Sequence, residues 1–517
     1  MLRPLREGLN ILRTDGASAV DDLVMGKRLA SWLHSGLMQY FSILLRAVVL
    51  TSSGLLLACA TPSPVVAQAA PSLHPIMPPA QWQAPLPHGG SAVALTHWWA
   101  QWGDPLLIEL IDAAQQRSPS LAAARSRIAQ SRSALTLAQA SVRPNVNASA
   151  QASRGVATPG APLASSLSVG VQAAWELDVF GGNAAGRDAS ALRLENAQLG
   201  WHEARVSLAA DTALAYFSLR YCNNVLVLTQ GDSTSRQETA RLNELTAKAG
   251  LNAPANAALA RASALDAASS VRASQAQCSA LRKALVALSG LEEPALYQKL
   301  QVKQTETHVE YAPTAAFSIA PLPARVLQQR PDIAAAQRSV AAAALDTRSA
   351  DARRWPSLGL SGSIGGASVV AGGATNTGLT WSLGPLALSL PLLDNGVRAA
   401  NSVAANAVYD EAVVSLRAKV LQAVREVEEA LVNLDSVATR RADVQAAAAG
   451  YRAALEATQA RYAAGLASLS ELEDARRIAL VAQHNQLGLE RERIAASIAL
   501  YRAVGGGWGG EVDAIAP

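Results

Sequence analysis

The chain carries one ordered set of landmarks twice, with the two copies about 213 residues apart. Each landmark in the first half has a partner in the second. The pairs are Arg117-Ser118-Pro119 with Arg330-Pro331-Asp332, Pro144 with Pro356, Ala249-Gly250-Leu251 with Ala464-Gly465-Leu466, and Gly290 with Gly505. A duplication on this scale indicates one supersecondary unit built twice, so the architecture follows from the repeat.

Two predicted β-hairpins lie at corresponding places in the halves. Residues 166–177 alternate apolar and polar side chains without a slip, as a strand with one wet face does, and 145–153 do the same with smaller residues. In the second half the strands are about 357–365 and 378–390, and the latter changes phase at Gly384-Pro385, as a bulge produces. Loops rich in small residues are expected at 154–165 and 366–377.

Very long helices are predicted around the hairpins. No proline occurs in 398–461 or in 468–504, and 183–248 and 254–288 match them in the first half. A helix of about 60 residues is roughly 90 Å long, far more than a globular core requires. Apolar residues recur at alternating four- and three-residue steps, as in Val420, Val424, Val427, Leu431 and Leu434, which favours side-by-side coiled-coil packing.

Four strands are too few to close a membrane barrel, whose smallest bacterial forms have about eight. Open sheet edges in lipid are excluded because their backbone groups lack partners. Either the sheet is soluble and packs on helices, or several chains pool their hairpins into one barrel. The fold class is therefore mainly α with a small β part, internally duplicated.

Composition excludes several classes of function. The chain has 517 residues, 50% of them hydrophobic and 4% aromatic, and its net charge of +4 offers no strongly basic surface for nucleic acid. Its seven histidines are scattered, and none has a carboxylate or cysteine at metal-ligand or catalytic-triad spacing. We expect no enzyme activity, no metal and no cofactor.

The first cysteine directly follows a predicted secretory leader. Arg46 precedes an apolar run that ends in Leu56-Leu57-Ala58-Cys59, which resembles a bacterial lipobox and implies cleavage before Cys59 and its acylation. An ordinary signal peptide cut near Ala67-Gln68-Ala69, or a buried apolar stretch, is the alternative. The leader is long when counted from Met1, so translation from Met25 or Met38 is expected.

The two remaining cysteines are placed symmetrically about a turn. Cys222 lies 28 residues before Gly250 and Cys278 lies 28 residues after it, so a helical hairpin turning at Gly250 places the two thiols at one height. An oxidising periplasm permits a disulfide there. Two buried free thiols are the alternative.

The chain resembles the TolC-type outer-membrane channels, and within them the lipidated OprM and NodT group of resistance-nodulation-division (RND) efflux systems. The resemblance covers about residues 95–508. Its motifs, in the family's order, are Trp98-Trp99…Trp102-Gly103-Asp104-Pro105-Leu106, Trp175-Glu176-Leu177-Asp178-Val179-Phe180-Gly181, Ala215-Tyr216-Phe217, Arg330-Pro331-Asp332-Ile333, Arg461-Tyr462-Ala463-Ala464-Gly465 and Gly505-Gly506-Gly507-Trp508. It implies a homotrimer whose strands form a 12-stranded outer-membrane β-barrel, continued by a periplasmic α-barrel.

The resemblance also implies functional residues at the two helical turns. Tyr462, Glu471 and Asp474 are expected at the closed end of the tunnel, with Asn256 where some relatives carry an acid. Ser468-Leu469-Ser470-Glu471 is also a helix capping box, so Glu471 has a structural alternative. The turns Ala249-Gly250-Leu251 and Ala464-Gly465-Leu466 are implied to meet a periplasmic adaptor protein; a helix C-cap without a partner is the alternative.

The implied function is a passive exit duct in the outer membrane of a Gram-negative bacterium. Its implied partners are the adaptor, an inner-membrane RND pump and outer-membrane lipid. A TolC-like exit for type I protein secretion and a lipid-anchored periplasmic coiled-coil scaffold are the alternatives. The expected organisation is a signal peptide at 1–58, a lipidated tail at 59–94, a first repeat at 95–300, a linker or equatorial segment at 301–320, a second repeat at 321–508 and a C-terminal tail at 509–517.

Overall fold

The computed structural model describes residues 98–156, 158–304, 327 and 329–506. The chain divides into two units, Met1–His74 and Pro75–Pro517, and all described residues belong to the second. The leader, Cys59, the tail at 59–94, the linker from residue 305 and the C-terminal tail at 509–517 lie outside the described residues.

The first half runs through two short helices, a hairpin and a pair of long helices. These are α1 Pro105–Arg117, α2 Pro119–Ser141, β1 Asn145–Gly155, β2 Ala164–Leu177, α3 Gly182–Lys248 and α4 Pro254–Ser289. Helix α5, Glu293–Gln304, follows.

The second half repeats the order from α2 to α4. It contains α6 Pro331–Ala352, β3 Ser357–Ala371, β4 Ala374–Ser389, α7 Val397–Ala463 and α8 Leu469–Ala503. Helices α3 and α7 have 67 residues each, so the duplication expected from the landmarks is present in the elements.

The second hairpin differs from the expectation. Residues 366–377 are mostly strand rather than loop, because β3 continues to Ala371 and β4 begins at Ala374, which leaves a turn of two glycines at positive φ. The expected phase change is confirmed: Gly384 and Pro385 both lie opposite Ser361, a β-bulge between the pairs Gly362↔Leu383 and Leu360↔Leu386.

The elements form a wall one layer thick. The sheet is antiparallel in the order β1-β2-β3-β4, and the pairing of β2 with β3 joins the two halves. Below it, α2, α3, α6 and α7 are successive neighbours; further down, α3 pairs with α4, α7 with α8, and α3 with α8. Only seven of the 67 residues of α7 are buried, which is typical of a wall rather than a globular core.

The main hydrophobic core lies at mid-height, where α1, α5 and the ends of α4 and α8 meet the middle of α3 and α7. Its fully buried side chains include Leu107, Tyr216, Leu285, Leu296, Leu431 and Leu500. Asp104 is buried beside this core, caps α1 through the Leu106 N–H at 3.1 Å and accepts the Tyr216 hydroxyl hydrogen bond at 2.7 Å. Burial raises the pKa of Tyr216, so its hydroxyl stays protonated and continues to donate.

At this height, one arginine in each half forms a hydrogen bond between the start and the end of that half. Arg117 donates from Nη1 to the Gly290 carbonyl at 2.9 Å, and Arg330 donates from Nη1 to the Ala503 carbonyl at 2.8 Å. In both cases the arginine precedes a proline-started segment and the carbonyl ends the hairpin's returning helix. The repeated Arg landmarks therefore join the start of each half to its end.

Candidate functional site

The sheet presents an apolar face that no described residue of the chain covers. Exposed apolar side chains follow every second position of β2, and in β4 they follow the same rule on both sides of the bulge. These residues are Leu167, Val169, Val171, Leu379, Trp381, Leu383, Leu386 and Leu388, and those of β4 are 60–82% exposed. A surface of this size and pattern is typical of lipid-facing strands.

The outer edges of the sheet are open. Within the described part of the chain, β1 hydrogen-bonds only to β2, and β4 only to β3. The strands have 11–16 residues, enough to cross a bilayer when tilted. Unpaired edges cannot face hydrocarbon, so the wall is incomplete in a single chain.

The two helical turns have the same backbone structure. Gly250 and Gly465 adopt φ of +72° and +73°. The Leu251 N–H donates to the Thr246 carbonyl at 2.9 Å, and the Leu466 N–H donates to the Arg461 carbonyl at 2.8 Å. Each turn is thus a Schellman motif that ends a 67-residue helix, and glycine is required at its left-handed position.

Both turns expose a leucine at their tips. Leu251 is 81% exposed and Leu466 is 70% exposed. A Cβ added at Gly250 or Gly465 would meet nothing within 4 Å, so the surface around each glycine is open. The Ala-Gly-Leu sequences therefore present two matching small, apolar tips.

Glu471 is used by the capping box at the start of α8. Its carboxylate accepts the Ser468 N–H at 2.6 Å, and its own N–H donates to Ser468 Oγ at 3.2 Å. The carboxylate also accepts the Ser468 hydroxyl hydrogen bond at 2.9 Å, and the two bonds that it accepts from Ser468 lower the pKa of Glu471, with a smaller contribution from Arg461 at 3.9 Å. The local structure therefore contains the capping box that is the structural alternative for Glu471.

The expected aperture residues Tyr462 and Asp474 lie close to the same turn. Tyr462 is partly buried in the last turn of α7, where its carbonyl accepts the Gly465 N–H at 2.9 Å. Asp474 is exposed and ion-paired with Arg477 on its own helix. Within the chain, Asp474 is therefore directed away from the buried face of α8.

Glu473 is a residue that the sequence did not single out. Its carboxylate accepts a hydrogen bond from the Thr239 hydroxyl of α3 at 2.8 Å and pairs with Arg476. It therefore links the second helical hairpin to the first near the turns. In the sequence, this role is indicated only by the position of Glu473 directly after Leu472, at the margin of the apolar stripe of α8.

Asn256 belongs to a chain of amides at the first turn. Its Nδ2 donates to Asn252 Oδ1 at 2.8 Å, and Asn252 Nδ2 donates to Asn243 Oδ1 at 2.8 Å. These bonds connect the end of α3 to the start of α4. Neutral amides do this without the charge that a carboxylate would add.

Cys222 and Cys278 are joined as a disulfide between α3 and α4, with their Cα atoms 5.5 Å apart. Both residues are buried within the mid-height core. The bond fixes the first helical hairpin well above its tip.

The described residues contain no group of three or more His, Cys, Asp and Glu side chains able to hold a metal ion. Among those same residues, no helix has the length and apolarity required to traverse a membrane.

Comparison with known proteins agrees with this geometry. The family model described as outer membrane efflux protein matches residues 110–291 and 322–506, one match for each half. The chain is 29% identical over 480 residues to the pyoverdine export outer membrane protein OpmQ of Pseudomonas putida, covering 88% of this chain and 95% of that protein. It is 27% identical over 428 residues to nodulation protein T of Rhizobium leguminosarum bv. viciae, covering 80% and 85%.

Solved structures show the same fold. The outer-membrane channel OprN matches with a TM-score of 0.66 and 26% identity, over 84% of this chain and 99% of that one. The open-state MtrE outer membrane channel of Neisseria gonorrhoeae matches with a TM-score of 0.65 and 25% identity, over 79% and 91%. With the family model matched once in each half, the chain belongs to the outer membrane efflux protein family.

Proposed function

We propose that three copies of this efflux channel assemble into one hollow exit duct, which a periplasmic adaptor and an inner-membrane RND pump load from below. The duct is passive and performs no chemistry. The energy for transport comes from the pump.

One observation carries the proposal: the four-stranded sheet has an exposed apolar face and two unpaired edges. Pairing β4 of one copy with β1 of the next satisfies both edges, and three copies give twelve strands, above the minimum for a membrane barrel. The helices below continue the same wall, so the tube extends into the periplasm.

The cargo we propose is a small toxic or exported compound rather than a protein. The names of the relatives support this, since they include a pyoverdine export protein, a solvent efflux pump protein and a cation efflux system protein. Deletion of the gene, followed by susceptibility tests with antibiotics, dyes, solvents and metal ions, identifies the class.

The adaptor contacts are proposed at Ala249-Gly250-Leu251 and Ala464-Gly465-Leu466. Their support is the shared Schellman geometry, the open space at each glycine and the two exposed leucines. Small residues around an exposed leucine allow the tip of another helical hairpin to approach closely. A lipid on Cys59 would add a second attachment to the membrane.

We propose the gate at the same end. Threefold symmetry would gather Asp474 of each copy with Tyr462 and Glu471 around a narrow axis, with Asn256 at the first turn lowering the charge there. Like charges held close together repel, so the closed state depends on contacts that restrain the second hairpin, such as Thr239 with Glu473.

The double variant Tyr462→Phe with Asp474→Ala should loosen the closed state. We expect a several-fold rise in single-channel conductance in planar bilayers and greater entry of bulky antibiotics into cells. Asp443→Ala, which removes an exposed carboxylate of α7 far from the turn, is the matched control. Equal conductance in the double variant and the wild type would rule out a gate at these residues.

The conduit itself is tested by the wild-type protein. Purified protein added to a planar bilayer should produce discrete conductance steps. A protein that inserts and never conducts would instead favour the lipid-anchored scaffold.

A further inference from the structure

An aromatic pair lies exposed where the strands meet the helices. Phe180 follows β2 and Trp355 precedes β3, and their rings stack with centroids 5.5 Å apart and planes 16° from parallel. Trp355 is 60% exposed, Phe180 is half exposed, and the neighbouring Val179 is exposed too. Since β2 and β3 are the inner strands of the sheet, assembly through β1 and β4 would leave this pair uncovered.

Three arginines lie at the same level. Arg353 and Arg354 directly precede Trp355, and Arg143 directly precedes Pro144 and β1. All three are exposed. Among the described residues, Arg143 and Arg353 have no ion pair, and Arg354 has only a long one of 3.9 Å to Asp351.

Two nearby carboxylates, Asp178 and Asp394, are committed to other groups, whereas Glu176 of β2 is exposed and forms no ion pair among the described residues. Asp178 accepts the N–H groups of Asn183 and Ala184, at 3.1 Å and 2.6 Å, and so caps α3. Asp394 does the same for α7 and pairs with Arg398 at 2.9 Å. Among the described residues, Asp351 is thus the only carboxylate that forms an ion pair with one of the three arginines, and the guanidinium groups of Arg143 and Arg353 are open to an anion from outside the protein.

A tryptophan also lies beside Arg143. Trp175 Nε1 donates to the Val142 carbonyl at 3.3 Å, which brings the indole next to the residue preceding Arg143. Both halves therefore place arginine and tryptophan together at the helix-side end of a strand. The apolar face of the strands continues into this level.

We infer that the junction belt, defined as Arg143, Arg353, Arg354, Phe180 and Trp355, binds the phosphate headgroups of anionic phospholipids in the membrane leaflet that faces the helices. The inference rests on the proposed membrane insertion. Aromatic rings favour the level between hydrocarbon and water, and guanidinium groups bind phosphate with paired hydrogen bonds. Anionic headgroups supply acceptors for the guanidinium groups of Arg143 and Arg353, which no described carboxylate pairs with.

The test uses the full-length protein in vesicles of phosphatidylcholine with a minor fraction of phosphatidylglycerol, in which only one of the two lipids carries bromine. Brominated lipid quenches tryptophan fluorescence, and the part of the quenching that is due to Trp355 is the difference between the wild type and Trp355→Phe. We expect stronger quenching by brominated phosphatidylglycerol than by the same fraction of brominated phosphatidylcholine. This preference should weaken as salt is raised.

The arginines are tested by the combined variant Arg143→Gln, Arg353→Gln and Arg354→Gln. We expect the preference for phosphatidylglycerol to fall, by about fivefold per arginine at low salt. Arg154→Gln, an exposed arginine at the far end of β1, is the matched control and should keep the preference.

Two outcomes overturn the inference alone while the wild-type channel conducts: an unchanged preference in the combined variant, or quenching of Trp355 by aqueous iodide and not by either lipid. Absence of conductance in the wild type would overturn the proposed function, and this inference would fall with it.

Discussion

Among the described glycines, Gly505 has the least space for an added side chain. It adopts φ of +92°, and an added Cβ would lie 2.2 Å from the backbone oxygen of Gln329, beside the Arg330 that binds the Ala503 carbonyl. Neither neighbour is the flexible end of a side chain. This glycine therefore allows the last turn of α8 to approach the start of the second half.

Gly505→Ala should destabilise the protein by about 2–4 kcal/mol, because it adds both a backbone clash and a disfavoured φ. Gly250→Ala is the control, since it has a similar positive φ and open space, and should cost about 1 kcal/mol. Thermal unfolding in detergent, followed by circular dichroism, measures both. Equal shifts would contradict the close approach.

Residue roles could be predicted where the partners are close in sequence or, as for Cys222 and Cys278, placed symmetrically about a turn. The capping box at Ser468 and Glu471 was readable because its two residues are three apart, and the structure contains it. The bond between Thr239 and Glu473 joins residues 234 positions apart, so only the packing of α8 on α3 reveals it.

At the scale of elements, the sequence predicted the long helices closely and the second hairpin poorly. Proline-free stretches and their glycine turns define α3, α4, α7 and α8 to within about two residues. Residues 366–377 read as a loop because their small and polar side chains lack apolar alternation. In the structure they are held by the register of β3 with β2 and β4, a long-range pairing.

The two helical hairpins are cross-linked differently. The first has the disulfide of Cys222 and Cys278, and the second has an exposed ion pair between Arg440 and Glu492 at a comparable height. A covalent bond that closes a loop of 56 residues lowers the conformational entropy of the unfolded chain and so stabilises the folded one. An exposed ion pair contributes less, because solvent screens it.

Replacing both cysteines, Cys222→Ala with Cys278→Ala, should lower the free energy of unfolding by about 2–4 kcal/mol. Arg440→Gln, which breaks the ion pair, should change it by less than about 1 kcal/mol. Thermal unfolding of the two variants, with reduced wild type alongside, gives the comparison. Loss of stability in Arg440→Gln alone would contradict this account of the hairpins.

At the scale of the whole molecule, the chain is an incomplete wall. Helix α7 buries only seven of its 67 residues, and among the described residues the sheet is open at both edges and its apolar face is exposed. The sequence indicated this incompleteness, because four strands cannot close a barrel and helices of this length have no globular core to surround. The number of copies that complete the wall follows from strand count and family resemblance rather than from any contact within one chain.

The number of subunits shows whether several chains complete one barrel. Native mass spectrometry of the mature protein, extracted in a nonionic detergent, should give a mass of three chains. A stable mass of one chain or of two chains would contradict a shared twelve-stranded barrel.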